Sequence, residues 1–208
     1  MVHDDYLVTS ECIRREVEYV LSEYAQFKGI RPAYFSYSQD ILKSEIILDI
    51  IRAQKFDNDI LLLCDNSCPE VSIPEEYSGS VKVHKIKHIY DLFTENLALQ
   101  EYRDTGSFII VPGWLENWQD NLQYIDQYNT KSGALFSETY SSILIPDTGV
   151  HSNLIVRAEE FSEFAGIPFK ILNVGMEYFS LVFENLVLRW NSEKKQNKLK
   201  RCNKKAAS

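Results

Sequence analysis

Cysteine is scarce in this sequence of 208 residues. The four present, at positions 12, 64, 68 and 202, are too few and too scattered to form a disulfide framework, so reduced thiols are expected. No apolar run approaches the roughly 20 residues that a membrane-spanning helix needs. The start, Met1-Val2-His3-Asp4-Asp5, is acidic and has no apolar signal segment. These two absences argue against a membrane partner and for a cytoplasmic location. There is no G-x-G-x-x-G or G-x-x-x-x-G-K-[ST] loop to cradle phosphates, and no G-x-S-x-G nucleophile elbow. The usual nucleotide-binding and hydrolase readings therefore lose their support. No internal repeat is visible.

What is present suits a folded domain. Hydrophobic residues make up 45% and aromatic residues 12%, too apolar for a disordered chain. The formal net charge of −8 is unevenly spread, because seven Lys or Arg and a single Glu fall from Asn191 onward. Residues 1–190 are therefore more acidic than the total suggests, which argues against a nucleic-acid groove on the main domain. The basic, Asn-rich stretch 191–208 has no apolar periodicity and is expected to be a disordered tail.

Apolar runs and helical stripes alternate along residues 1–190. Tyr6–Val8 is a short strand. Thr9 and Ser10 can cap a helix from Glu11 to Tyr24, whose apolar stripe is Ile13, Val17, Val20, Leu21 and Tyr24. Ala33–Tyr37 is a second strand, and Ser38 or Asp40 caps a helix through Ala53. Ile60–Cys64 is continuously apolar, the mark of a strand buried on both faces. Val81–Ile86, of mixed polarity, suits an edge. A helix over Asp91–Tyr102 leads to the stretch Gly106–Trp118, in which a buried strand stops at Pro112-Gly113 and opens into a helix reaching about Tyr128. Strands at Ser142–Ile145 and Phe169–Leu172 follow, with helices at Leu154–Ala165 and from Gly175 to Trp190. This alternation predicts an α/β domain over residues 1–190: a mostly parallel sheet of six to seven strands with helices on both faces, a three-layer sandwich.

In such a fold the loops after the strands share one sheet edge, where ligands bind. Trp114 and Trp118, four residues apart, suit either a core or a ligand platform. Cys64-Asp65-Asn66-Ser67-Cys68 offers thiolates, a carboxylate and an amide to a soft or borderline metal, though Cys64 equally suits the last core position of its strand. His84 and His88 could add nitrogen ligands, or simply lie on a lysine-rich surface strand. Asp147 could bind a metal or a ligand hydroxyl, or cap the turn that follows it. By topology Cys12, Cys68 and Trp114 should converge at one edge, with Glu116 or Asp147 close by.

The chain also resembles a known family at specific places. Cys12-Ile13-Arg14-Arg15-Glu16 looks like the opening pattern of the domain of unknown function 1638 family. Asp59–Leu63 resembles its central strand, and Gly106–Trp114, ending in Pro-Gly-Trp, its most recognisable signature. Ile145-Pro146-Asp147-Thr148-Gly149 and the helix from Gly175 complete a likeness over residues 6–190. The sequence departs from that pattern at Ser38-Gln39-Asp40, at Asp65-Asn66-Ser67-Cys68 and at His88-Ile89-Tyr90-Asp91, where the family tends to carry polar site residues. The resemblance implies an uncharacterised protein of methanogens and other anaerobes with a tie to one-carbon or corrinoid methyl metabolism. Zinc, iron or a corrinoid is the cofactor class it suggests.

From these readings the chain is expected to be a small-molecule- or metal-binding accessory protein with a pocket at the C-terminal ends of the strands. Cys12, Trp114, Glu116 and Asp147 are its candidate ligand-binding residues, and Cys68, Cys12 and His88 its candidate metal ligands. Two alternatives stand beside this: a thiol- or metal-dependent enzyme, and a non-catalytic divergent relative that acts through protein–protein contacts.

Overall fold

In the computed structural model the described residues are 5–36, 40–54, 58–66, 71–123 and 133–206. Cys68 and the Ser38 cap lie outside them. Among these described residues there are seven strands: β1 (Asp5–Ser10), β2 (Ile30–Phe35), β3 (Ile60–Cys64), β4 (Val81–Lys85), β5 (Ser107–Ile109), β6 (Ser142–Asp147) and β7 (Phe169–Asn173). Every strand pairing is parallel, as the alternation predicts. The ladder is divided, however, into a four-stranded sheet of order β2-β1-β3-β4 and a three-stranded sheet of order β5-β6-β7. β5 is only three residues long and pairs with β6 alone among the described residues, so side chains rather than backbone join the sheets. One apolar cluster holds Leu7, Leu61 and Leu63 of the first sheet together with Ile143 and Ile145 of the second.

The α-helices among the described residues are α1 (Arg14–Glu23), α2 (Asp40–Arg52), α3 (Asn96–Asp104), α4 (Pro112–Glu116), α5 (Trp118–Gln123), α6 (Ala134–Thr139), α7 (Leu154–Ala165) and α8 (Glu177–Ala206). They cover both faces of each sheet. Side chains alternate along β3, so Leu61 and Leu63 meet the cluster of α1 and α8, while Ile60, Leu62 and Cys64 meet Ile47 and Ile51 of α2. In the second sheet Leu144 and Ile109 face Leu99 of α3, and Ile143 and Ile145 share a cluster with Ala158 and Phe161 of α7. All five residues of β3 are buried, and β4, mixed in polarity, is an edge strand.

Three elements differ from their expected form. The helix expected from Glu11 begins as a 3-10 turn, Glu11–Ile13, whose Cys12 N–H donates to Ser10 Oγ at 3.3 Å. The helix expected to run to about Tyr128 is broken at Asn117 (φ −126, ψ 37) into α4 and α5, and its last residues, 124–128, lie outside the described ones. Asn121 Nδ2 donates to the carbonyl of Trp114 at 2.8 Å across this break. The basic stretch from Asn191 continues α8 to Ala206, because its Lys, Arg, Glu and Gln residues are good helix formers. The root of that extension is docked. Trp190 is buried, Lys194 Nζ sits 2.5 Å from Asp5 Oδ2 and 4.0 Å from the Trp190 ring centre, and Glu193 pairs with Lys82 at 2.8 Å. Among the described residues no helix is long and apolar enough to cross a membrane.

Candidate functional site

The C-terminal ends of β1 and β2 face the start of α4, which follows β5. Between them lies a cleft of about 350 Å³ lined by Glu11, Cys12, Ser36, Gly113, Asn117, Asp120 and Asn121. Its described lining holds two carboxylates, two amides, a hydroxyl and a thiol, and no Lys or Arg. Glu11 is bound by Arg14 at 2.9 Å. Asn121 gives one of its two amide N–H donors to the carbonyl of Trp114.

Beside the cleft, a buried charged network ties α1 to α4 and to the turn after β6. Glu16 of α1 is fully buried. Its Oε1 accepts from Thr148 Oγ1 at 3.0 Å and lies 2.9 Å from His151 Nε2. The other ring nitrogen, Nδ1, lies 3.0 Å from Glu116 Oε1 of α4. That same oxygen receives Arg15 Nε at 2.8 Å. The His151 side chain is 2% exposed and that of Glu116 31%, so the network runs from the interior to the surface. Glu16 Oε2 is buried and has no hydrogen-bond partner among the described residues.

A neutral imidazole carries one N–H and so cannot donate to two carboxylates at once. Both contacts are satisfied together when the ring is doubly protonated. The network then holds two anions, Glu16 and Glu116, and two cations, His151 and Arg15. Burial by itself lowers the pKa of His151, but the hydrogen bonds and charges of Glu16 and Glu116 outweigh it and hold the pKa above the ordinary imidazole value.

The residues singled out from sequence are dispersed around this region. Cys12 is buried in the cleft wall, and Glu116 anchors the network. Trp114 turns into the core instead, edge-on to Phe108 and Phe161 at 6.4 and 5.5 Å. Trp118 also packs on Phe161, at 5.4 Å. Asp147 closes a turn: its Oδ1 accepts the Gly149 N–H at 2.8 Å, and its backbone carbonyl accepts those of Val174 and Gly175. His88 precedes a 3-10 turn after β4 and stacks on Tyr90 at 4.8 Å. Among the described residues no three His, Cys, Asp or Glu are grouped so as to hold a metal ion. Cys68 lies outside them. Glu16, Thr148 and His151 were not singled out as site residues. One signal for Glu16 was available: it lies three residues after Ile13 and four before Val20, at the margin of the apolar stripe of its helix, where a buried carboxylate needs a partner.

The model of the family described as "Protein of unknown function (DUF1638)" matches residues 37–182, well over half of the chain. The chain belongs to the DUF1638 family. The matched segment carries α4, Glu116, Thr148 and His151, while Cys12, Arg15 and Glu16 precede it. No curated protein and no solved structure matches the chain.

Proposed function

We propose that this DUF1638 protein binds a small, polar, cationic or hydroxyl-rich molecule in the cleft between its two sheets. The cleft itself carries the reading: acceptor-rich side chains gathered at the C-terminal strand ends, with no basic residue in the described lining. Its size, about 350 Å³, lies near the lower limit for ligand sites and suits a metabolite of sugar size. Among the described residues no three His, Cys, Asp or Glu are grouped as a metal cage. A role in anaerobic one-carbon metabolism would run through a small substrate or product of that chemistry. Cys12 in the wall favours a second reading, a thiol-dependent reaction on the bound molecule.

Amide shifts of the full chain, titrated with glucosamine, glucose and inorganic phosphate in turn, test the main reading. Glucosamine should move the resonances of Cys12, Gly113, Asn117 and Asn121, glucose less, and phosphate not at all. Asp120→Asn should weaken the glucosamine response. A cleft that answers to none of the three probes, or to phosphate best, overturns it. Cys12→Ser should leave this response in place if Cys12 only lines the cleft.

A further inference from the structure

Two walls make the cleft. One is the turn from β1 into α1, with Glu11 and Cys12, and the other is the pair α4–α5, with Gly113, Asn117, Asp120 and Asn121. The charged network connects these same two walls. Arg15 of α1 reaches Glu116 of α4 directly, and Glu16 of α1 reaches Glu116 through His151. His151 comes from a third element, the turn between β6 and α7, so a single ring fastens three separate parts of the chain.

We propose that His151 is a proton-dependent clamp: doubly protonated, it holds α1 and α4 together, and release of one N–H proton to solvent lets the two walls of the cleft part. The physical reason lies in the two contacts. With one N–H left, the ring keeps one carboxylate and turns a lone pair toward the other, at about the same distance. Four charges that balanced now sum to a net negative charge, and the deeper carboxylate, Glu16, is fully buried. Among the described residues Glu16 of α1 and Glu116 of α4 meet the two ring nitrogens, while Thr148 of the β6 turn bonds Glu16 and Arg15 of α1 bonds Glu116. Asp147, in the same turn, is held by Gly149 N–H. Glu116, half-buried at the outer end, is the exit for the proton. The raised pKa of His151 agrees with this geometry.

The clamp acts on the cleft proposed above as a binding site, but its test uses no ligand, so either reading can fail alone. Ring resonances of His151 in the full-length chain report its protonation. Exchange of the Trp114 and Leu115 amides of α4, which bond the carbonyl of Val111 just before that helix, reports opening. Intrinsic amide exchange rises tenfold per pH unit. Above about pH 6.5 the two α4 amides should gain a further factor approaching tenfold per unit until His151 has lost its proton, because opening is linked to one proton. Leu62 of β3 should show no such extra rise. Glu116→Gln should move the step to lower pH, and His151→Gln should abolish it. Should His151→Gln fail to fold, the Glu116→Gln shift still decides. A His151 that titrates at or below the ordinary imidazole value, α4 exchange that follows only the intrinsic slope, or an equal extra rise at Leu62 would each overturn the clamp.

Discussion

Gly113 lies directly against the backbone of Cys12. A β-carbon built on Gly113 would stand 2.8 Å from the carbonyl carbon of Cys12 and closer still to its oxygen. Neither atom belongs to a flexible side chain, so the whole turn after β1 would have to retreat. This contact sets the spacing between the walls of the cleft, and it explains why glycine follows Pro112 where α4 begins.

Alanine substitutions at three glycines should therefore fall in a definite order. Gly113→Ala meets backbone and should cost about 1–3 kcal/mol, the range for overpacking. Gly149→Ala has open space around it but a φ of +82 and should cost roughly 1–2 kcal/mol from strain alone. Gly29→Ala meets nothing within 4 Å and has no positive φ, so it should be close to neutral. Urea midpoints of the three variants check the order. Equal midpoints for Gly113→Ala and Gly29→Ala would refute the close approach.

The buried carboxylate at Glu16 should be among the most sensitive positions in the chain. Glu16→Ala removes the acceptor of both Thr148 and His151 and leaves an imidazolium short of a partner in the interior. Breaking a buried pair from one side costs roughly 3–5 kcal/mol. Glu16→Gln, which keeps an acceptor oxygen, should recover part of the loss. Denaturant titrations at about pH 6 make the comparison, and a Glu16→Ala variant as stable as the parent would show the network to be idle.

The same network gives a signed pH dependence of stability. The folded-state pKa of His151 is raised, so the folded chain binds its proton more tightly than the unfolded one. Its contribution is fully present below the unfolded imidazole value of about 6.5 and is lost as pH climbs through the folded value. The gap in stability between the parent and His151→Gln should be widest near pH 6 and narrow on the alkaline side. A gap that widens with rising pH would reverse the assignment.

Two truncations separate the docked root of the C-terminal extension from the rest. Ending the chain after Lys195 keeps the contacts of Glu193 and Lys194 with Lys82, Asp5 and Trp190, and the melting midpoint should hold. Ending it after Trp190 removes them and should cost about 1 kcal/mol, since these are surface or half-buried pairs. Equal midpoints would show the ion pairs to contribute nothing.

Local pattern carried most of the fold and little of the site. The apolar run Ile60–Cys64 reads as a doubly buried strand and is one. Leu154–Ala165 ends at Gly166, whose φ of 68 supplies the helix stop. The break at Asn117 was hidden because Trp114 and Trp118 continue a helical spacing, and both still reach Phe161. The division into two sheets was hidden too, since strand alternation says which segments are strands but not where the ladder ends. The network was the hardest part to see. His151 and Glu16 are 135 residues apart and meet only through the fold, so neither leaves a periodic mark near the other. Glu116 was singled out from its place after β5, whereas its partners came from elsewhere.

The division of the sheets also bears on the order in which the chain can assemble. All pairing in the first sheet lies within residues 5–85 and all pairing in the second within 107–173. α8 comes last, yet it returns to the first sheet, setting Phe183 against Phe27 at 5.8 Å and Lys194 against Asp5. A nascent chain can thus finish its first ladder early and must wait until the second sheet and α8 have been made for the helix that helps seal the face carrying Leu7, Leu61 and Leu63. During that interval the first half presents apolar surface to whatever surrounds the ribosome. A chain stopped at Asn173 should bind a hydrophobic dye that the full chain ignores, and the distance in sequence between β1 and α8 makes that exposure a property of every molecule made.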